Sequence, residues 1–161
     1  MEDTVIIYYS LDGNTDYIAR RIAEKTGAKL VRLETKRAYP RKGFKKFFIG
    51  GRDALFGAEP ELKAQLPDLA PFGNIVIGTP VWASRPAPAI NTFLRRAKLD
   101  GKRIALFACS GGGHAKTCLN KMESLLAGNE ILCRTSFISP ACKRGKTVDD
   151  AIDEIVSALS D

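Results

Sequence analysis

Three apolar runs limit most strongly what this chain can fold into: Val5-Ile6-Ile7-Tyr8-Tyr9, Ile75-Val76-Ile77 and Ile104-Ala105-Leu106-Phe107-Ala108. None alternates with polar residues. A strand with one wet face alternates, whereas a strand covered on both faces reads as a continuous β-branched and aromatic run. Each run leads into a polar turn and then into helical periodicity. Strand, turn and helix in alternation imply βαβ units, and so a parallel sheet with helices on both faces. The pattern predicts strands over about 4–9, 28–33, 74–78, 103–109 and 131–138. Helices are predicted over about 14–26, 86–97, 114–127 and 147–159. Gly27 is a C-cap for the first helix, Pro86 and Pro88 suit a helix start, and Thr147 caps a helix with Asp149 and Asp150 in its first turn. Ala28–Leu33 alternates, which marks an edge strand.

The 161 residues fit one domain, 1–161, with one sizeable core. No run approaches the roughly 18–20 apolar residues that cross a membrane. Met1-Glu2-Asp3-Thr4 lacks the basic start of a signal peptide, so the expected location is cytoplasmic. The four cysteines, Cys109, Cys118, Cys133 and Cys142, form no CxxC pair and accompany a single histidine. They read as reduced thiols rather than a zinc site. The net charge of +7 favours anionic ligands without indicating a specific nucleic acid.

In an open parallel sheet, ligands bind beyond the carboxyl ends of the strands. Three loops there are chemically unusual. The first is Ser10-Leu11-Asp12-Gly13-Asn14-Thr15, which opens a helix. A helix start offers free N–H groups and a positive dipole end, so it suits a phosphate, and the hydroxyls add donors. An ordinary turn into a capped helix is the plain alternative. The second loop, Gly78-Thr79-Pro80-Val81-Trp82-Ala83-Ser84, carries the single tryptophan, which can pack in the core or stack on a flat ring. The third, Cys109-Ser110-Gly111-Gly112-Gly113-His114-Ala115-Lys116-Thr117, has three glycines that allow close backbone approach to a ligand. It is a poor Walker A loop, because Ser110 and Ala115 hold the two glycine positions. It is also a poor phosphatase Cys-x5-Arg loop, because Ala115 holds the arginine position.

The first loop resembles the phosphate loop of the flavodoxin family, hydroxyl-x-hydroxyl-Gly-x-hydroxyl, with Asp12 where the family usually has Ser or Thr. Thr79-Pro80-Val81-Trp82 resembles the family's second flavin loop, and the glycine run its third. The resemblance implies a three-layer α/β/α sandwich with a five-stranded parallel sheet in the order 2-1-3-4-5. It is similar to the short-chain form, because the last strand passes directly to the last helix. The implied cofactor is FMN rather than FAD. Its phosphate would lie on Ser10, Asp12, Gly13, Asn14 and Thr15. Its ring face would meet Thr79, Pro80, Val81, Trp82 and Ser84, and its ring edge Cys109, Ser110, Gly111, Gly112, Gly113 and His114.

The implied function is electron transfer through bound flavin, to a redox partner protein or a small-molecule acceptor. The chain departs from the family's carriers in being basic and in lacking a second aromatic on the third loop. The basic candidates near the ring are Arg85, Lys116, Lys143 and Arg144. Positive charge stabilises a reduced anion, and an uncovered ring face admits a flat acceptor such as a quinone. Two-electron reduction is therefore the expectation. The alternatives are a one-electron, low-potential carrier and a flavin-free regulatory module on the same fold. No catalytic base or nucleophile pair is evident.

The basic segment 36–62 carries Phe44, Phe47, Phe48 and Leu55 at helical spacing, with Lys45, Lys46 and Arg52 off that stripe. It reads as a helix packed on the sheet with a solvated basic face. A lid, a homodimer contact and a membrane-surface contact stay open as readings.

Overall fold

The computed structural model describes residues 3–40 and 46–160. The strands are β1 (Thr4–Tyr8), β2 (Lys29–Arg32), β3 (Asn74–Trp82), β4 (Arg85–Pro86), β5 (Arg103–Ser110) and β6 (Glu130–Ile138). The α-helices are α1 (Asn14–Thr26), α2 (Gly51–Leu55), α3 (Pro88–Arg96), α4 (Ala115–Ser124) and α5 (Lys146–Ser160). Five parallel strands lie in the order β2-β1-β3-β5-β6. β5 and β6 are the fourth and fifth parallel strands, so this is the expected 2-1-3-4-5 order, with alternating β2 at one edge. The sixth strand, β4, is a two-residue return that pairs antiparallel with β3.

Strand alternation sends one set of side chains to each face. Val5, Ile7, Tyr9, Ile75, Ile77, Ile104 and Leu106 pack with Ile90 and Phe93 of α3 and Leu119 and Met122 of α4. Ile6, Tyr8, Val76, Ala105 and Phe107 pack with Ile18 and Ile22 of α1 and Ile152 and Ile155 of α5. Both faces are covered, which is why the central strands show no polar alternation.

Gly78 fixes the middle of the sheet. A Cβ there would lie 2.1 Å from Cζ of Phe107, on the neighbouring strand. Only glycine leaves room for that ring, which meets Phe137 edge-on with 6.2 Å between centroids.

Three expectations need correction. α5 begins at Lys146, so Thr147 lies inside its first turn and does not cap it. β3 continues four residues past the expected end at Gly78, and Ala83 (φ 47°) with Ser84 (φ 60°) turns the chain into β4. In the basic segment, the helix that was to bury Phe48 and Leu55 is short. A π-helical turn (Lys46–Gly50) leads into α2, and Phe48 and Leu55 are 67% and 55% exposed. The π-helical turn is wider than an α-helical one, so it interrupts α-helical periodicity between Phe48 and Leu55. Asp53 and Ala54 are buried instead. Phe44, Arg41, Lys42, Lys45 and the side chains of Lys46 and Phe47 lie outside the described residues.

Candidate functional site

The first and third loops use one device. In the first, the Ser10 hydroxyl accepts the N–H of left-handed Gly13 (φ 93°) at 3.2 Å. In the third, the Ser110 hydroxyl accepts the N–H of left-handed Gly113 (φ 97°) at 3.0 Å. Each serine is buried and closes its own turn, which leaves its O–H hydrogen to donate elsewhere. Gly13 caps α1 without any side-chain hydrogen bond, so the N–H groups at the start of that helix keep their capacity for an anion.

Thr15, the second residue of α1, decides what this end can hold. Its hydroxyl is the one buried side-chain polar atom among the described residues that has no hydrogen-bond partner. The Cys109 thiol lies beside it, too poorly placed to serve as one. A buried hydroxyl left unpaired costs about 1–3 kcal/mol. A phosphate oxygen at the helix start would satisfy it. The donor set of Ser10, Thr15 and free backbone N–H groups therefore fits a phosphate.

Neighbouring groups hold this loop in place. Arg32 donates to the Ser10 carbonyl at 2.9 Å. Asn14 accepts the Ala141 N–H at 3.1 Å, which ties the loop after β6 to the first loop. That loop carries Lys143 and Arg144, and the Arg144 guanidinium lies 4.9 Å from the Tyr17 ring centroid. Asp12 is exposed, at the solvent side of the loop. Asp16 accepts from the Tyr8 phenol at 2.7 Å and from Arg20 at 2.8 Å. Burial raises the Asp16 carboxyl, but the hydrogen bonds from Arg20 and Tyr8, with the charges of Arg20 and Arg32, outweigh it and hold the group low. Burial and the same hydrogen bond push Tyr8 up to about 12, so the pair is a neutral phenol on a carboxylate.

The second loop is a tight hairpin. The Thr79 hydroxyl is fully buried; it accepts the Ala87 N–H at 2.9 Å and donates to the Pro80 carbonyl at 2.9 Å. Thr79 thus fixes the hairpin to the start of α3. Pro80 and Val81 are half-buried in β3, and Ser84 sits in the turn. Trp82 is half-buried in an aromatic setting that sequence reasoning missed. Tyr9 and Tyr39 meet its ring edge-on, at 5.7 and 5.2 Å between centroids. A Cβ at Gly50 would come within 3.1 Å of its six-membered ring, so the backbone of the π-helical turn lies against the indole. Buried Asp53 holds that segment, accepting from Tyr39 Oη at 3.1 Å and from Arg37 at 3.3 Å. The available signal was Tyr9, which shares strand parity with core residues Val5 and Ile7.

In the third loop, Gly111, Gly112 and His114 are exposed, and His114 is itself left-handed (φ 63°). Cys109 and Cys118 are buried, and burial pushes both thiols up to about 12. Neither supplies a thiolate nucleophile. Sheet register joins the loops: Tyr8 pairs with Gly78, and Pro80 pairs with Cys109. All the expected site residues thus lie at one sheet edge. Of the expected basic set, Arg85 faces α4 near Cys118, and Lys116 is exposed on α4.

The sequence profile of the family described as Flavodoxin matches residues 3–134. The chain belongs to the flavodoxin family. Among solved structures it is similar to a flavoprotein of Lactobacillus acidophilus NCFM, in complex with FMN. That pair has a TM-score of 0.74 and 25% identity, covering 91% of this chain and 100% of the other. A protein of Bacteroides uniformis ATCC 8492 superimposes with a TM-score of 0.77 at 21% identity, covering 96% and 97%. The two-electron-reduced flavodoxin of Megasphaera elsdenii gives 0.63 at 19%, covering 98% of each chain. The last two likenesses concern the fold alone. A comparison with curated proteins finds no match. No helix among the described residues is long and apolar enough to cross a membrane.

Proposed function

We propose that this flavodoxin-family chain binds FMN across the three loops and passes electrons through it, with two-electron reduction of a quinone or similar flat acceptor as its activity. The unpaired, buried Thr15 hydroxyl at the start of α1 carries the cofactor assignment. The FMN complex of the Lactobacillus flavoprotein supports it. Ser10, Thr15 and the first N–H groups of α1 would hold the phosphate. The Trp82 hairpin and Ser110–His114 would flank the ring. When bound, FMN supplies acceptance and release of one or two electrons.

The chain's own residues favour the two-electron reading. Loops one to three contain one carboxylate, Asp12, which is exposed. Lys143 and Arg144 sit on the loop tied to Asn14. A positive edge stabilises negative charge gained on reduction. The third loop presents glycine backbone and His114 instead of a covering aromatic, which leaves access for a flat molecule. His114 can carry a proton at its imidazole. The proposed setting is cytoplasmic, with a small-molecule acceptor as partner and no nucleic-acid role.

A spectroelectrochemical titration of FMN-loaded protein tests the reading, with a quinone-reduction assay alongside. The expected result is one two-electron step and turnover of the quinone. Two well-separated one-electron steps without quinone turnover would instead assign the one-electron carrier.

A further inference from the structure

Beyond the three loops, a cleft of about 200 Å³ opens where α2, β4, α3 and α4 meet. Its wall carries Arg85 from β4, Asn91 and Arg95 from α3, and Lys121 from α4, with Leu55 and Phe56 at its lip. No carboxylate lines it. Arg95 is paired with Glu59 at 3.1 Å. Arg85 and Lys121 are half-buried and have no acidic partner among the described residues.

Asn91 is the second, independent observation. It is 4% exposed, yet its side-chain amide makes no hydrogen bond to any described residue. An amide on so enclosed a residue is normally paired within the protein; that of Asn91 is not, and its nitrogen and oxygen are not sealed from solvent. Asn91 lines the cleft, so its unmet donors and acceptor face the same space as the two unpaired cations. Phe56, at the lip, is 80% exposed, an unusual setting for so large an apolar side chain.

From this juxtaposition we infer that the cleft binds a small organic anion, a phosphate or carboxylate carried on a flat apolar body. The Arg85 fork and the Lys121 ammonium would take the anionic head. The Asn91 amide would donate to it, and Leu55 and Phe56 would cover the apolar part. Phosphate and carboxylate share this recognition, and the test separates them. The inference does not depend on the flavin reading, because none of these side chains contributes to the phosphate-fitting donors at the start of α1.

The experiment is isothermal titration of FMN-saturated protein with phenyl phosphate, benzoate, inorganic phosphate and phenol. Saturating the protein with FMN keeps the phosphate probes off the first loop. The expected result is saturable binding of phenyl phosphate or benzoate, weaker binding of inorganic phosphate and none of phenol. The stronger of the two aryl anions identifies the head group. Lys121→Met and Asn91→Leu, on different helices, should each weaken binding by roughly tenfold or more without changing FMN affinity. Thermal melts establish that both variants are folded. Equal binding by wild type and both folded variants, binding of phenol as tight as phenyl phosphate, or no saturable binding by any probe would overturn the inference. Should FMN itself fail to bind, the same titration on the Thr15→Val protein keeps the two questions apart, because that change leaves the cleft intact.

Discussion

Replacing Thr15 with valine should move two properties of the protein in opposite directions. The side chain keeps its shape and loses its hydroxyl. In the ligand-free protein that hydroxyl is buried without a partner. Removing an unsatisfied buried polar group recovers its desolvation penalty, about 1–3 kcal/mol. For a chain of this size each kcal/mol shifts Tm by about 2–4 °C, so the FMN-free variant should melt several degrees above wild type. Binding should go the other way. A hydrogen bond to a charged phosphate contributes about 1.5–3 kcal/mol, so its loss weakens FMN by roughly 10- to 150-fold. Differential scanning calorimetry of ligand-free protein measures the first effect. Quenching of FMN fluorescence measures the second. Thr15→Ser, which keeps the hydroxyl, should retain most of the affinity. An unchanged or lowered Tm together with unchanged affinity would refute the reasoning, because Thr15 would then be neither orphaned nor a ligand.

Gly78→Ala should destabilise by about 3 kcal/mol or more, since its Cβ would fall 2.1 Å from Phe107; urea unfolding measures this, and a smaller side chain at 107 should recover part of the loss. Ala83→Gly should stabilise by about 1 kcal/mol by relieving a left-handed alanine (φ 47°), read in the same unfolding experiment. Asp16→Asn should cost about 1–3 kcal/mol at neutral pH by weakening the bonds from Tyr8 and Arg20. The folded Asp16 carboxyl lies below its ordinary value of 3.8, so its stabilisation is present above that pH and is lost as pH falls through the lower folded value. The difference between wild type and variant should therefore shrink in acid unfolding curves below about pH 4. Asp12→Thr should tighten FMN binding by less than about tenfold, with a gain that shrinks as salt is added, measured by fluorescence titration at two ionic strengths.

What could be read from the chain followed the strength of its local signals. The sheet was legible because Ile6, Ile75 and Ile104 sit in runs that only a doubly covered strand tolerates. The Ser10–Thr15 and Cys109–His114 loops were legible because glycine and hydroxyl residues cluster there. The Trp82 hairpin was not. Pro80 reads as the end of a strand, and a two-residue hairpin normally announces itself with Asn-Gly rather than Ala83-Ser84. Tertiary packing holds that turn, through Thr79 bonding the Ala87 N–H and through Tyr9, Tyr39 and Gly50 around the indole. The basic segment misled for another reason. Phe48 and Leu55 keep a helical spacing in the sequence, but the π-helical turn at Lys46–Gly50 interrupts α-helical periodicity between them. Asp53 is inside because Tyr39 and Arg37 pair with it, and no local pattern encodes a partner 14 residues away.

Asp12 is the residue that departs from the family's phosphate loop, and the geometry bears on how much that matters. The turn does not need a hydroxyl at that position, because Ser10 already accepts the Gly13 N–H that closes it. The Asp12 side chain is exposed, so its repulsion of an anion acts through water. Two unit charges 4 Å apart interact by about 1 kcal/mol at the dielectric of water, and screening reduces this beyond about 10 Å at 0.1 M salt. Against it stand the Thr15 hydroxyl, the N–H groups opening α1, and Lys143 and Arg144 on the loop tied to Asn14. The Thr15 hydroxyl lies in the buried part of the site, where a contact is worth most, whereas Asp12 lies at the solvent side, as do the exposed Lys143 and Arg144 that oppose it. The carboxylate should therefore tune phosphate affinity without abolishing it, and its effect should respond to salt where that of Thr15 does not.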